Sequence, residues 1–117
     1  MTDILTELYE IVEERKAVRE EGSYTVYLFD EGIDKILKKL GEECTETIIA
    51  AKNLRESEAG DAEARGALTG ETADLIYHIT VMLSDLGVRP EEVEEILRTR
   101  MQKTGNLKQF RRTDKNT

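Results

Sequence analysis

The sequence is poor in the residues on which several kinds of protein are built. Its 117 residues include one cysteine, one histidine and one proline, and only 5% are aromatic. Cys44 alone excludes an intrachain disulfide and any cysteine-based zinc site, and with His78 as the sole histidine neither a papain-like dyad nor a zinc finger is a plausible reading. No P-loop, GxGxxG, HExxH or EF-hand loop occurs. No apolar run approaches the roughly 20 residues needed to span a bilayer. Positive charge is also in deficit. A net charge of −8 argues against electrostatic binding to nucleic acid or to an anionic membrane, since both need clustered cations to displace counterions. The N-terminus lacks the basic, apolar and small-residue pattern of a secretion signal, so a cytoplasmic location is expected.

What remains is charge and helical periodicity. Charged residues make up 36% of the chain and hydrophobic ones 38%, a balance typical of long amphipathic helices, and the length suits one domain. Apolar residues at Ile4, Leu5, Leu8, Ile11, Val12 and Val18 predict a first helix from Asp3 to about Arg19. The segment Ser23 to Phe29 mixes β-branched and aromatic residues without a helical period and reads as an ordered loop after Gly22. A second helix is expected from about Asp30 to Leu54, with Ile33, Ile36, Leu37, Leu40, Cys44, Ile48 and Ala51 on one stripe and Cys44 as a small core residue.

Gly60 and Gly66 then suggest a flexible connection from Arg55 to Gly70. A third helix begins before Glu71 and stops at Gly87, and a fourth starts at Pro90 with Glu91 and Glu92 at its positive end. The predicted architecture is an all-α, four-helix unit over residues 1–104, followed by a polar, basic tail over 105–117 that is disordered or takes its conformation from a partner.

The chemistry-bearing residues are acidic. Glu42, Glu43 and Glu46 span an arc of about 100° beside the apolar stripe of the second helix. Glu71 and Asp74 repeat that arrangement on the third, with His78 a turn further along. If the two stripes pack antiparallel, four or five carboxylates converge at the edge of one helix pair, which is how helical bundles build carboxylate metal sites. Oxygen-only ligands suit Mg²⁺ or Mn²⁺. A solvated acidic face is the plain alternative, and the run Glu91, Glu92, Glu94 and Glu95 is read that way. Lys39, one turn before Glu43, and Asn53, two turns beyond Glu46, are placed to touch phosphate oxygens. His78 reads as a hydrogen-bonded helix residue without a catalytic role.

The EExxE pattern at Glu42, Glu43 and Glu46, followed by ExxD at Glu71 and Asp74, resembles the signature of the all-α, MazG-like nucleotide pyrophosphohydrolase superfamily. The runs Gly22-Ser23-Tyr24-Thr25, Leu28-Phe29, Asp34 to Glu43, Ala50 to Asn53 and Ala73 to His78 together resemble the phosphoribosyl-ATP pyrophosphatase family. The resemblance covers about Leu8 to Arg100. It implies hydrolysis of phosphoribosyl-ATP to phosphoribosyl-AMP and pyrophosphate, the second step of histidine biosynthesis, with Mg²⁺ on Glu43, Glu46, Glu71 and Asp74.

It further implies catalytic roles for Glu42, Glu43 and Glu46. Glu42 would hold a second Mg²⁺ or accept a proton from the attacking water. Lys39, Lys52 and Asn53 would meet phosphate, and Tyr24 would close over base or ribose. The implied bundle is completed by oligomerisation, with a homodimer expected. A cyclohydrolase domain, which many relatives carry fused, has no room here, so the product would pass to a separate phosphoribosyl-AMP cyclohydrolase. Two rivals stand beside this reading: a housekeeping pyrophosphohydrolase of nucleoside triphosphates, and a non-enzymatic helical assembly module.

Overall fold

The computed structural model describes residues 3–102 and 107–116. Five α-helices follow one another: α1 (Ile4–Ala17), α2 (Tyr24–Glu31), α3 (Ile33–Glu56), α4 (Ala62–Leu86) and α5 (Pro90–Gln102), with a single 3-10 turn at Asp114–Asn116. The all-α class is as expected. The number of helices is not, because Ser23 to Phe29 is helical rather than a loop. The Ser23 hydroxyl caps α2 by accepting from the Val26 N–H at 3.2 Å, and Leu28 is fully buried against Val12, Ile36 and Val81. Burial of that one face outweighs the β-propensity of Thr25, Val26 and Tyr27, which is how tertiary context overrides intrinsic preference. Gly32, at φ +93°, then breaks the chain between α2 and α3 in a conformation open to glycine at little cost. The expected single helix from Asp30 is thus the end of one helix and the start of another.

The expected flexible connection is a second correction. α3 runs to Glu56 and only 57–61 separate it from α4. Asp61 caps α4, its carboxylate accepting from the Ala64 N–H at 2.9 Å, and the Ala-rich turn that follows carries Gly66 and Gly70 within the helix. At the other end Gly87 adopts the left-handed conformation (φ 72°) and its N–H reaches the Leu83 and Ser84 carbonyls, the stop its sequence position predicted.

α3 and α4 form a hairpin, with α1 and α2 laid against it and α5 against α1. The core is small: Val12, Leu28, Ile36 and Val81, with Phe29, Ile33, Tyr77 and Met82 packed around them. Of the apolar residues assigned to the first helix, Val12 is buried but Ile4, Ile11 and Val18 are exposed, and Tyr9 is buried in their place. Its ring lies under the Arg89 guanidinium, 5.1 Å from the centroid. Cys44 is exposed rather than part of the core. Ile48 (68% accessible), Ile49 and Leu37 are exposed on the same helix. The second-helix stripe is therefore only partly used within one chain. Among the described residues no helix is long and apolar enough to cross a membrane. The expected domain 1–104 and tail 105–117 both include residues outside those described, namely 1–2, 103–106 and 117; what is described of the tail, 107–116, is bends and the one 3-10 turn.

Candidate active site

The α3–α4 hairpin brings Glu43 and Glu46, one turn apart on α3, against Glu71 on α4. One carboxylate oxygen from each lies within 4.8 Å of the other two. Glu43 is buried, Glu71 half-buried and Glu46 exposed, so the cluster opens to solvent on the Glu46 side. Thr47 bridges the two helices here: its hydroxyl is 2.8 Å from the Glu43 carbonyl and 3.2 Å from the Glu71 carbonyl.

Three carboxylates at this distance repel one another, and none of them is in an ion pair among the described residues. Burial, followed by the neighbouring Glu46, pushes the Glu43 carboxyl above its ordinary value. A hydrogen bond with Glu46, followed by burial, does the same to Glu71. The charge of Asp74, one turn beyond Glu71, contributes to both shifts. Glu43 Oε2 and Glu71 Oε2 are buried and have no hydrogen-bond partner among the described residues. An unpaired buried carboxylate oxygen is costly. Two of them turned into one acidic cluster fit a divalent cation with an all-oxygen shell.

Of the acids read from the sequence, the structure gathers Glu43, Glu46 and Glu71 and puts Asp74 on their rim. Glu42 is set apart. Its carboxylate accepts from Lys39 Nζ at 2.8 Å, which holds it below its ordinary value and raises Lys39. Lys52 pairs with Glu56 at 3.3 Å on an exposed surface, and Asn53 is exposed; neither makes a described bond to the cluster. In the acidic run on α5, Glu91, Glu92 and Glu95 are exposed as expected, and Glu94 is half-buried. Glu94 is turned inward with Oε1 unpartnered, and a hydrogen bond with Asp3 raises its carboxyl.

Tyr24 stands over the same region from α2. Its hydroxyl is 3.0 Å from Nε2 of His78, its ring stacks on Tyr27 at 6.0 Å, and the charges of Lys39 and Glu43 both act on it. Burial keeps the phenol above its ordinary value, so it is protonated at neutral pH. Tyr77, on α4, makes a short hydrogen bond to Thr25. α2 is thus bonded twice to the helix that carries Glu71 and Asp74. On its outer side Tyr24 and Tyr27 line an open cleft of about 770 Å³ with Ser23, Val26 and Asp30. Sequence reading missed Thr47 and Tyr77. Thr47 lies one turn after Glu43, and that spacing was the only available sign of its position.

Comparison with known proteins agrees with the acidic pattern. Residues 5–101 match the family model described as phosphoribosyl-ATP pyrophosphohydrolase. A phosphoribosyl-ATP pyrophosphatase of Streptococcus thermophilus is 49% identical over 104 residues, covering 89% of this chain and 91% of its own. One of Pelotomaculum thermopropionicum is 50% identical over 101 residues, 86% of this chain and 94% of its own. One of Clostridium novyi is 43% identical over 114 residues, 97% and 96% respectively. A match over most of the chain, at this level of identity, places it: the chain belongs to the phosphoribosyl-ATP pyrophosphohydrolase family, a family of hydrolases.

Proposed function

We propose that this chain hydrolyses phosphoribosyl-ATP to phosphoribosyl-AMP and pyrophosphate in histidine biosynthesis, with Mg²⁺ held by Glu43, Glu46, Glu71 and Asp74. The observation that carries the reading is the acidic cluster, with two buried carboxylate oxygens that nothing among the described residues satisfies, in a protein of this family. The cation, Mg²⁺ or Mn²⁺, supplies charge neutralisation at the phosphates and at the leaving pyrophosphate. The chain's own residues do the positioning. Thr47 bridges the helices that bear the acids. Lys39, paired with Glu42 at 2.8 Å, offers a cation beside the site, and Tyr24 covers its α2 side. Glu42, outside the three-carboxylate cluster and kept ionised by Lys39, is suited to take a proton from attacking water.

The chain works as a homodimer in the cytoplasm and hands its product to a separate phosphoribosyl-AMP cyclohydrolase. The exposed Leu37 and Ile48, about three turns apart on one face of α3, support the dimer, because a monomer leaves that face in water. Sedimentation of wild type and of Ile48→Asp tests this part, and a monomeric wild type would refute it.

Pyrophosphate release from phosphoribosyl-ATP, compared with dUTP, dCTP and ATP, with Mg²⁺ and with EDTA, tests the activity. Turnover of phosphoribosyl-ATP alone, abolished by EDTA, is the expected result. Preference for a plain nucleoside triphosphate would move the protein to the housekeeping class, and no turnover of any of them would leave an assembly module.

A further inference from the structure

Lys35, Lys39 and Glu46 follow one another along one side of α3. Lys35 and Glu46 differ by about 20° around the helix and by about 16 Å along it, with Lys39 between them. Tyr24 and Tyr27 of α2 run beside this row in the same order. The charges of Lys39 and Glu43 act on Tyr24, Tyr24 stacks on Tyr27 at 6.0 Å, and the Lys35 ammonium lies 5.9 Å from the centre of the Tyr27 ring. Both tyrosines are 44% accessible. An acidic cluster, a lysine, an exposed aromatic pair and a second lysine are thus laid out in a line.

The two lysines differ in what holds them. Lys39 donates to Glu42 at 2.8 Å. Lys35 makes no hydrogen bond among the described residues, and its ion contact with Glu31, at 4.0 Å, is beyond hydrogen-bond reach. An ammonium has three protons to donate. With the side chain 31% accessible, those of Lys35 are left to water or to a ligand. The other cation beside the tyrosines, Arg19, is ion-paired with Asp30, and the cleft it lines with them also carries Glu20, Glu21 and Glu31, a setting that repels anions. Lys38 is exposed as well but lies about 60° round the helix from Lys35, on the side away from Lys39.

A nucleoside triphosphate has phosphates at one end only. With these at the acids and Lys39, its sugar and base would end at the tyrosines. Phosphoribosyl-ATP has a further phosphate beyond the base, on its second ribose. We infer that Lys35 binds this distal phosphate, and so selects a nucleotide with phosphates at both ends over a plain nucleoside triphosphate, with Tyr24 and Tyr27 alongside the base and sugars. The inference rests on the proposed substrate, and it gives Lys35 a binding role with no part in bond breaking.

Two substrates test it: phosphoribosyl-ATP, and the same molecule without the phosphate on its second ribose. Hydrolysis of both is measured for wild type, Lys35→Met, Lys35→Arg and Lys39→Met. A charged hydrogen bond to phosphate at a partly exposed site is worth about tenfold. Wild type should prefer phosphoribosyl-ATP by about that factor in kcat/KM, chiefly through KM. Lys35→Met should lose the preference and Lys35→Arg should keep it. Lys39→Met, which weakens both substrates alike, should keep it too. The preference is a ratio within one protein, so any loss of folded enzyme cancels from it. A wild type that does not distinguish the two substrates, or a Lys35→Met variant with the wild-type ratio, overturns the proposal.

Hydrolysis of neither substrate by wild type would refute the proposed activity. Calorimetric affinities of phosphoribosyl-AMP, with and without its distal phosphate, then decide Lys35 separately. Binding about tenfold tighter with that phosphate, an advantage lost in Lys35→Met, supports the site; equal affinities, or no binding, overturn it.

Discussion

Thr47 and Glu71 are joined across the α3–α4 seam: the threonine hydroxyl, 2.8 Å from the Glu43 carbonyl on its own helix, is also 3.2 Å from the Glu71 carbonyl on the next. One hydroxyl therefore touches the backbone of two of the three clustered acids. Thr47→Val keeps the shape and removes the bond. The expected cost is about 1 kcal/mol of stability, read by denaturant unfolding, with a fall in kcat/KM several times that of Thr47→Ser. Equal activity of the Val and Ser variants would show that the spacing of the acids does not depend on this contact.

The cluster trades stability for function. Glu43 and Glu71 are held above their ordinary values by burial and by Glu46, so in the metal-free protein their charges oppose folding. Glu71→Gln is expected to melt at or above the wild-type temperature without metal, and to lose kcat/KM by a factor on the order of 100 or more. Added Mg²⁺ should raise the melting temperature of wild type and not of Glu71→Gln, because a ligand stabilises only the state that binds it. A variant that melts lower without metal would contradict the repulsion argument, and an equal Mg²⁺ response in both would remove Glu71 from the metal site.

The acids were legible in the sequence because helical periodicity places Glu43 and Glu46 on the flank of one apolar stripe and Glu71 and Asp74 on the flank of the next. The ends at Gly87 and Pro90 were legible because both residues act locally through fixed backbone preferences. α2 was not, since Tyr24 to Phe29 has the composition of a strand and is helical only because Leu28 finds a place against Val12 and Ile36. The tight turn before Asp61 was hidden by glycines that lie on both sides of the helix start. Cys44 was misread because the face that α3 buries is that of Ile36, Glu43 and Ala50, and Cys44 lies about 100° round the helix from Glu43. The bonds of His78 depend on where α2 packs, which periodicity does not encode.

Lys39 and Lys52 were both expected at phosphate, and their surroundings now separate them. Lys39 is bonded to Glu42 and acts on Tyr24 and Glu43, whereas Lys52 is 70% accessible and pairs along the helix with Glu56. A charged hydrogen bond to phosphate is worth about 2 kcal/mol. Lys39→Met should therefore raise KM some tens-fold, and Lys52→Met should change it about twofold at most. The reverse order would place the phosphates at the far end of α3.

Glu13 ties α1 to the end of α4 and gives the protein an acid-sensitive contact remote from the active site. Its carboxylate accepts from the Ser84 hydroxyl at 2.6 Å and pairs with Lys16 at 2.8 Å, while Lys16 donates to the Ser84 carbonyl at 2.9 Å. Lys16 first, then Ser84, hold the Glu13 carboxyl below its ordinary value of 4.5. A carboxyl with a lower pKa when folded binds fewer protons in the native state. Its contribution is thus complete above pH 4.5 and is lost as the pH falls through that value to the lowered one. Lys16→Met should cost about 0.5 kcal/mol at pH 7, the size of a half-exposed pair, and the gap from wild type should close as both are titrated below pH 4. The acidic cluster titrates in both proteins, so the difference between their melting curves isolates Glu13. A gap that stays constant with pH would mean that Lys16 acts through its bond to the Ser84 carbonyl and its place over the Phe29 ring, 5.6 Å from its ammonium, and not through Glu13.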